Sequence, residues 1–227
     1  VKSVAEIAKL RHICDVASSV FEGLPLWVAC GDSEQDIFRR FKVEMLQAGA
    51  DDVSYLVGGA ASGGYDDIIS PPSDVATKTG DVLILDTGSV FDGYFCDFDR
   101  NYAFGQVSAE AHNTHELLWL ATQAGFEAAR PGATASQVYT AMHKVLASGG
   151  EVANVGRMGH GLGIQLTEWP SIAAFDHTPL TAGMVLTLEP ALAYAPNKML
   201  VHEENILLHP DGAEFLSHRA PQNMPII

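Results

Sequence analysis

The chain has 227 residues, of which 47% are hydrophobic and 18% are charged, and its formal net charge is −15. This length and composition fit one large domain, or two closely packed halves, with a substantial core, and they exclude a disordered chain. The negative charge argues against nucleic acid or an anionic membrane as a partner.

The first part of the chain is predicted to form two helices followed by strands. Ser3 and Glu6 have the spacing of a capping box, and apolar residues then recur at helical intervals. A second helix is expected from residue 32 or 33 to about residue 49. A loop rich in glycine and proline is expected after residue 58. The predicted strands of this part are 53–58, 81–86 and 90–104.

The second part of the chain repeats this order. Ser108 is expected to begin a third helix that ends near Arg130, and a capping box at Thr134 and Gln137 begins a fourth that ends near residues 149–150. Strands are then predicted at 155–167, 183–194, 199–208 and 213–216. Two rounds of helices followed by strands predict an α+β fold, with two similar halves whose helices cover one side of a mostly antiparallel sheet.

The three cysteines, Cys14, Cys30 and Cys96, are widely spaced and form no CxxC motif. This pattern is typical of reduced thiols and predicts a cytoplasmic protein. No apolar run approaches the roughly 20 residues that a membrane-spanning helix needs.

Aspartates interrupt the strand-like stretch ILDTGSVFDGYFCDFDR, although aspartate is rare in strands. Asp92-Gly93 is a typical hairpin turn, and it would place Asp86 opposite Asp99 with Asp97 on the same face. Three crowded carboxylates repel one another unless protons, a cationic side chain or metal ions compensate. From the hairpin alone, a metal site and a set of turn and solvent-facing aspartates are equally good interpretations.

Three further residues have ionisable side chains in segments that otherwise contain mainly glycine or apolar residues. His160 lies between glycines in RMGHGLG, and Glu189 and Glu203 lie in apolar strand-like segments. A charged residue in such a strand is seldom buried unless it is paired or bound to a metal. The two glutamates would face each other across a loop centred on Pro196, while Glu204 would face away. Together with the aspartate hairpin, these residues favour a metal site.

Four carboxylates and one imidazole exceed what one divalent cation needs. The candidate ligands are Asp86, Asp97, His160, Glu189 and Glu203. They fit two cations roughly 3.5–4 Å apart, between which a water would lose a proton near neutral pH and become a nucleophile. Oxygen-rich ligation with one imidazole favours manganese, with cobalt, iron or zinc as alternatives.

These motifs, in this order, resemble the pita-bread metallopeptidases: aminopeptidase P, prolidase and methionine aminopeptidase, with the metal-free creatinase as a relative. ILDTG with CDFDR is similar to the two-aspartate hairpin of that family. GHGLG, GMVLTLEP and VHEENILL match its ligand histidine and its two ligand glutamates. The resemblance extends over essentially the whole chain and fills every ligand position.

The resemblance implies a pita-bread fold with a dinuclear metal site and a homodimer. Asp86 would bind one metal and His160 the other, Asp97 and Glu203 would bridge them, and Glu189 would be a ligand that also takes a proton from the metal-bound water. In the proline-peptide branch an amino-terminal domain precedes the catalytic one. We expect residues 1–227 to form the catalytic domain alone, without that amino-terminal domain.

The chain departs from the proline-peptide branch at positions near the expected substrate. Thr167 and Ile69 stand where histidines that contact the substrate or move protons are usual, so these two residues are the candidate substrate contacts. Neither is a base near pH 7. Val201 stands where an arginine is usual, and Asp99 replaces a common threonine. Metal binding is therefore better supported than cleavage of proline peptides.

Three functions remain open at this point. The first is a metallopeptidase that cleaves Xaa-Pro dipeptides or amino-terminal Xaa-Pro bonds. The second, suggested by Thr167 and Ile69, is a metal-dependent hydrolase or lyase that acts on a small non-peptide substrate, as in creatinase or the lyases of a sulfonium zwitterion. The third is a binding module that has lost the chemistry, and the complete ligand set argues against it.

Overall fold

A computed structural model of the chain describes residues 1–149 and 156–227. Within these ranges the chain forms four α-helices, α1 Val4–Gly23, α2 Glu34–Ala48, α3 Ala109–Ala128 and α4 Ala135–Ser148, and a 3-10 helix Leu24–Leu26. The predicted helices are therefore confirmed over their described lengths. Residues 150 and 155, where a predicted helix ends and a predicted strand begins, lie outside the described ranges.

The helix starts follow from local hydrogen bonds. The Ser3 side chain accepts from the backbone N–H of Glu6, and the Glu6 side chain accepts in return from the N–H of Ser3. Thr134 and Gln137 make the same reciprocal pair at the start of α4. Both capping boxes expected from the sequence are therefore present, and each satisfies N–H groups that a helix leaves unpaired.

The strands form two larger antiparallel sheets and a separate hairpin. The strands of the described residues are β1 Asp52–Ser62, β2 Asp81–Phe91, β3 Tyr94–Phe95, β4 Phe98–Ala103, β5 His160–Gly161, β6 Glu168–Ser171, β7 Val185–Leu188, β8 Ala191–Ala195, β9 Lys198–Val201, β10 Glu204–His209 and β11 Gly212–Phe215. In one sheet β2 pairs with β1, β3 and β4, and in the other the order is β11–β10–β7–β5–β6. The separate hairpin pairs β8 with β9.

The predicted aspartate hairpin is present with the expected register. Asp86 pairs with Asp99 and Phe91 pairs with Tyr94. The turn residues carry the positive φ angles that a tight hairpin needs, 46° at Asp92 and 81° at Gly93.

Several predicted strands differ from the observed ones. Strand β1 does not end at residue 58 but runs on to Ser62. Gly58 has a φ of 140° and lies so close to β2 that a Cβ there would be 2.1 Å from the Ile84 oxygen, so only glycine fits at this position. The predicted strand 155–167 is wrong over most of its described length, because only the two residues of β5 form a strand there. Strand β6, which follows it, was not predicted. The predicted strands 90–104, 183–194 and 199–208 are each broken near a candidate ligand, at Asp97, Glu189 and Glu203 respectively.

Two apolar cores fill the two halves. One lies between α1, α2 and the first sheet and includes Phe21, Phe41 and Phe98. The other lies between α3, α4 and the second sheet and includes Leu118, Met142 and Leu186. The helices thus pack against sheets in both halves, as the repeated order predicts.

Candidate metal centre

The first sheet supplies the two predicted ligands Asp86 and Asp97. Asp86 lies within β2, and Asp97 precedes β4 at the break in the hairpin. Asn205, on β10, holds that break in place. Its Oδ1 accepts from the Asp97 N–H at 2.9 Å, and its Nδ2 donates to the Asp97 carbonyl at 2.5 Å. One buried side chain therefore fixes the backbone from which the Asp97 carboxylate projects.

The second sheet supplies His160 in a defined orientation. Its backbone N–H donates to Thr187 Oγ1 at 3.2 Å, and its Nδ1 lies 2.9 Å from the Gly161 carbonyl oxygen. That carbonyl can only accept, so Nδ1 carries a proton, and in the neutral imidazole Nε2 is the nitrogen left to bind a metal. Nε2 lies 3.3 Å from Asp97 Oδ2 and 3.7 Å from Glu189 Oε2.

Glu189 and Glu203 flank the hairpin formed by β8 and β9. The register pairs Ala191 with Val201, and the His202 N–H donates to the Pro190 carbonyl at 3.2 Å. This geometry agrees with the predicted opposition of Glu189 and Glu203.

The five candidate ligands converge on one place. Asp97, His160 and Glu203 each offer a ligand atom, and these atoms all lie within 4.8 Å of one another. Glu189 approaches the same imidazole, and Asp86 lines one cleft together with Glu189 and Glu203. We call Asp86, Asp97, His160, Glu189 and Glu203 the ligand cluster.

The electrostatics of the ligand cluster are unfavourable for bare carboxylates. Burial, and next the charge of Asp97, raise the pKa of Asp86 well above its usual range. Burial, and then the charges of Asp97 and Asp86, raise the pKa of Glu203 in the same way. Burial also raises the pKa of Asp99 to about 7, although the neighbouring Arg100 guanidinium opposes this shift. Without a cation, these carboxylates therefore keep their protons to a higher pH than free carboxylates do.

The residues present fit divalent cations. Asp86 Oδ1 and Glu203 Oε1 are buried and find no hydrogen-bond partner among the described residues. Buried polar atoms are rarely left in that state without a ligand. The adjacent carboxylate Glu204 shows the contrast, because it accepts from Arg100 Nη2 at 2.9 Å and from the Ala220 N–H at 2.7 Å. Carboxylate oxygens with one imidazole suit manganese, iron, cobalt or zinc.

The cleft above the ligand cluster has a volume of about 400 Å³. Ile69 and Val201, two of the noted departures, line it. Thr167 is exposed and is not among the described lining residues, so its predicted role in substrate binding stays a prediction. Two polar lining residues, Tyr55 and Arg157, were not singled out from the sequence. The available signal for Arg157 was its place in RMGHGLG, three residues before His160.

No helix among the described residues is long and apolar enough to cross a membrane.

Comparison with known proteins identifies the class to which this fold and site belong. The fold is that of the pita-bread metallopeptidases: the chain superposes on the dipeptidase PepE from Mycobacterium ulcerans with a TM-score of 0.93 and 28% identity, over 100% of this chain and 61% of that one. The prolidase from Thermococcus sibiricus gives a TM-score of 0.92 and 25% identity, over 100% and 62% of the two chains. Residues 8–210 match the model of metallopeptidase family M24, and the chain belongs to that family.

The curated relatives are longer than this chain. A Mycobacterium bovis protein named "Probable dipeptidase PepE" is 29% identical over 100% of this chain and 60% of its own length. The Xaa-Pro dipeptidase of Pyrococcus horikoshii is 27% identical over 96% of this chain and 62% of its own length. The chain thus spans about three fifths of the relatives it matches.

Proposed function

We propose that this chain is a metal-dependent hydrolase of short peptides, of the Xaa-Pro dipeptidase or aminopeptidase type. The observation that carries the proposal is the convergence of Asp97, His160 and Glu203 within 4.8 Å, beside buried carboxylate oxygens that lack partners. The names of the relatives, a dipeptidase and an Xaa-Pro dipeptidase, support the choice of substrate class.

Each residue of the ligand cluster has a distinct task in this proposal. Asp86 and His160 would help to hold the two cations, and Asp97 and Glu203 would complete the ligand set. Two bound cations would activate a water and polarise the scissile carbonyl. Glu189 would accept a proton from the attacking water, and Arg157 orients the Glu189 carboxylate through a contact of 3.2 Å between Nε and Oε1. The Glu189 carboxylate is therefore oriented before the substrate arrives.

A second candidate is a hydrolase or lyase for a small non-peptide substrate. It is favoured by Ile69, which lines the cleft at the position of a usual histidine and offers neither a proton nor a hydrogen bond. Small amides and betaines are the compounds to compare with peptides.

The proposal also includes the metal, the oligomeric state and the location of the protein. Manganese follows from the ligand types, a homodimer from the family resemblance and a cytoplasmic location from the cysteine pattern. We also propose that residues 1–227 act as one catalytic domain.

The test is metal stoichiometry followed by substrate screening. Elemental analysis of the Mn²⁺-reconstituted protein is expected to give about two metals per chain, and fewer for Asp97→Asn. Xaa-Pro dipeptides, small amides and betaines are then assayed in parallel. Release of proline supports the first proposal. Turnover of only the small compounds would replace it with the second, and a protein that retains no metal would refute both.

A further inference from the structure

Arg157 is the only cationic side chain among the described residues that line the cleft. The acidic residues that line it are Asp86, Asp99, Glu189 and Glu203. A single guanidinium in an acidic cleft gives any anionic group of a ligand one favourable position there.

The Arg157 guanidinium uses only one of its three nitrogens in a hydrogen bond to the described residues. Its Nε contacts Glu189 Oε1 at 3.2 Å, and within residues 1–149 and 156–227 its two terminal nitrogens make no hydrogen bond. The Arg157 side chain is 42% exposed. Arginine has five N–H donors in a fixed plane, and its terminal nitrogens match the two oxygens of a carboxylate. The free edge can therefore bind a carboxylate while Nε keeps its contact with Glu189.

The position of Arg157 limits how far that carboxylate can be from the reacting group. One oxygen of Glu189 contacts Arg157, and the other lies 3.7 Å from His160 Nε2. The Glu189 carboxylate alone thus separates the Arg157 guanidinium from the His160 imidazole. A ligand that spans from the cluster to Arg157 is short, and the cleft volume of about 400 Å³ fits a molecule of that size.

Among the described residues, the cleft wall is apolar apart from Arg157, the four acidic residues and Tyr55, which hydrogen-bonds to Asp86. Ile68, Ile69 and Val201 line it together with Ala191. None of these side chains can bind a charged or polar end group. Specificity for a charged group must therefore come from Arg157, while the apolar wall accommodates the body of the ligand.

We propose that Arg157 binds the free carboxylate of the substrate and so selects short substrates with a carboxylate one residue beyond the scissile bond. This inference rests on the proposed function, and it narrows that function from peptides in general to dipeptides. An amidated or longer peptide leaves the guanidinium without its partner and loses a charge-assisted pair of hydrogen bonds.

The first test measures binding without turnover. L-proline and L-prolinamide are titrated calorimetrically into the Mn²⁺-loaded protein, its Arg157→Gln and Arg157→Lys variants, and an Arg39→Gln control. Arg39 is 74% exposed and pairs only with Asp36 among the described residues, at 3.3 Å. The wild type and the control are expected to bind proline about 10- to 100-fold more tightly than prolinamide. Arg157→Gln should abolish this preference, and Arg157→Lys should keep part of it.

The second test measures selectivity in turnover. For Ala-Pro, Arg157→Gln is expected to raise KM by about 10- to 100-fold. Loss of the Arg157 contact with Glu189 lowers the kcat for Ala-Pro and Ala-Pro-amide alike, whereas loss of the carboxylate contact raises KM for Ala-Pro alone. The ratio of kcat/KM for Ala-Pro to that for Ala-Pro-amide should therefore fall by about 10- to 100-fold in Arg157→Gln, which a general loss of fold or metal would not produce. Elemental analysis of every variant measures its metal content. An unchanged metal content shows that the change in KM does not arise because Glu189, without Arg157, has released a metal.

The outcomes separate this inference from the proposed function. Hydrolysis of acid and amide dipeptides with equal efficiency, or an unchanged proline preference in Arg157→Gln, would overturn the role of Arg157 and leave the peptidase proposal standing. An Arg157-dependent preference for proline in a protein that cleaves no peptide would support the carboxylate site and refute the peptidase.

Discussion

Replacing Glu203 by glutamine should have opposite effects on stability with and without metal. Without metal, Glu203 Oε1 is buried without a hydrogen-bond partner among the described residues, and burial and neighbouring carboxylates raise the pKa of Glu203. A ligand oxygen of Glu203 lies within 4.8 Å of one from Asp97. At an effective dielectric constant of about 20, two charges at that separation repel by about 3 kcal/mol. Protonation relieves part of the repulsion between the Glu203 and Asp97 carboxylates. Glu203→Gln removes the remainder and is expected to stabilise the metal-free protein by about 1–3 kcal/mol at pH 8.

The same substitution should remove the stabilisation that metal provides. A ligand at 100 times its dissociation constant stabilises the native state by about 2.7 kcal/mol. The wild-type protein gains this amount with Mn²⁺, whereas Glu203→Gln, which lacks a bridging carboxylate, gains little. The ranking of the two proteins therefore reverses on addition of metal.

Urea unfolding at pH 8, with EDTA or with Mn²⁺, measures both effects. The matched control is Glu204→Gln, which changes the adjacent buried carboxylate. Glu204 is paired with Arg100 at 2.9 Å, so its loss should destabilise both forms by about 3–5 kcal/mol. A metal-free Glu203→Gln protein that is less stable than the wild type, or one that Mn²⁺ stabilises as much, would refute this account.

Three further predictions concern protons and supporting contacts. Because burial and neighbouring carboxylates raise the pKa values of Asp86 and Glu203, Mn²⁺ must displace protons from them, and its affinity should rise with pH. Calorimetry in two buffers of different ionisation enthalpy measures the protons released. Burial lowers the pKa of His115 to about 4, so the unfolded state binds a proton first as pH falls below 6.5. About 3 kcal/mol of stability should be lost by pH 4, and urea unfolding should show a smaller loss in His115→Phe. Asn205→Leu leaves the buried N–H and carbonyl of Asp97 without partners, which should cost roughly 2–4 kcal/mol and lower the metal content measured by elemental analysis.

The hairpin could be predicted from the sequence because its determinants are local. Asp92-Gly93 fixes the turn, and the alternation of side chains then fixes which residues share a face. The pairing of Asp86 with Asp99 follows directly. The helices were predictable for the same reason, since their caps use residues three positions apart.

The breaks in the strands could not be predicted, because their causes are not local. The segments around Asp97, Glu189 and Glu203 contain enough apolar residues to look like continuous strands. The break at Asp97 is held by Asn205, a residue 108 positions away in the chain. Pairing between distant residues decides such geometry, and periodicity contains no information about it.

Arg157 escaped prediction for a related reason. Its sequence neighbours give no sign that the side chain reaches Glu189, which lies 32 positions further on. Glycine-flanked His160 attracted attention as a possible ligand, whereas an arginine three residues before it resembles an ordinary surface residue.

The alternation of side chains also explains how the fold tolerates so many buried charges. Glu203 joins the ligand cluster, while Glu204, the next residue, turns to the other side and pairs with Arg100. Arg100 lies on β4 and Glu204 on β10, so this ion pair joins the two larger sheets. The Arg100 Nη1 atom also donates to the Glu203 carbonyl at 3.0 Å. The unpaired carboxylates and the ion pair are thus separated by one peptide unit. Because the contact between the sheets does not depend on the ligand cluster, the two halves should stay joined when metal is removed, and the cost of bare carboxylates is confined to the cleft.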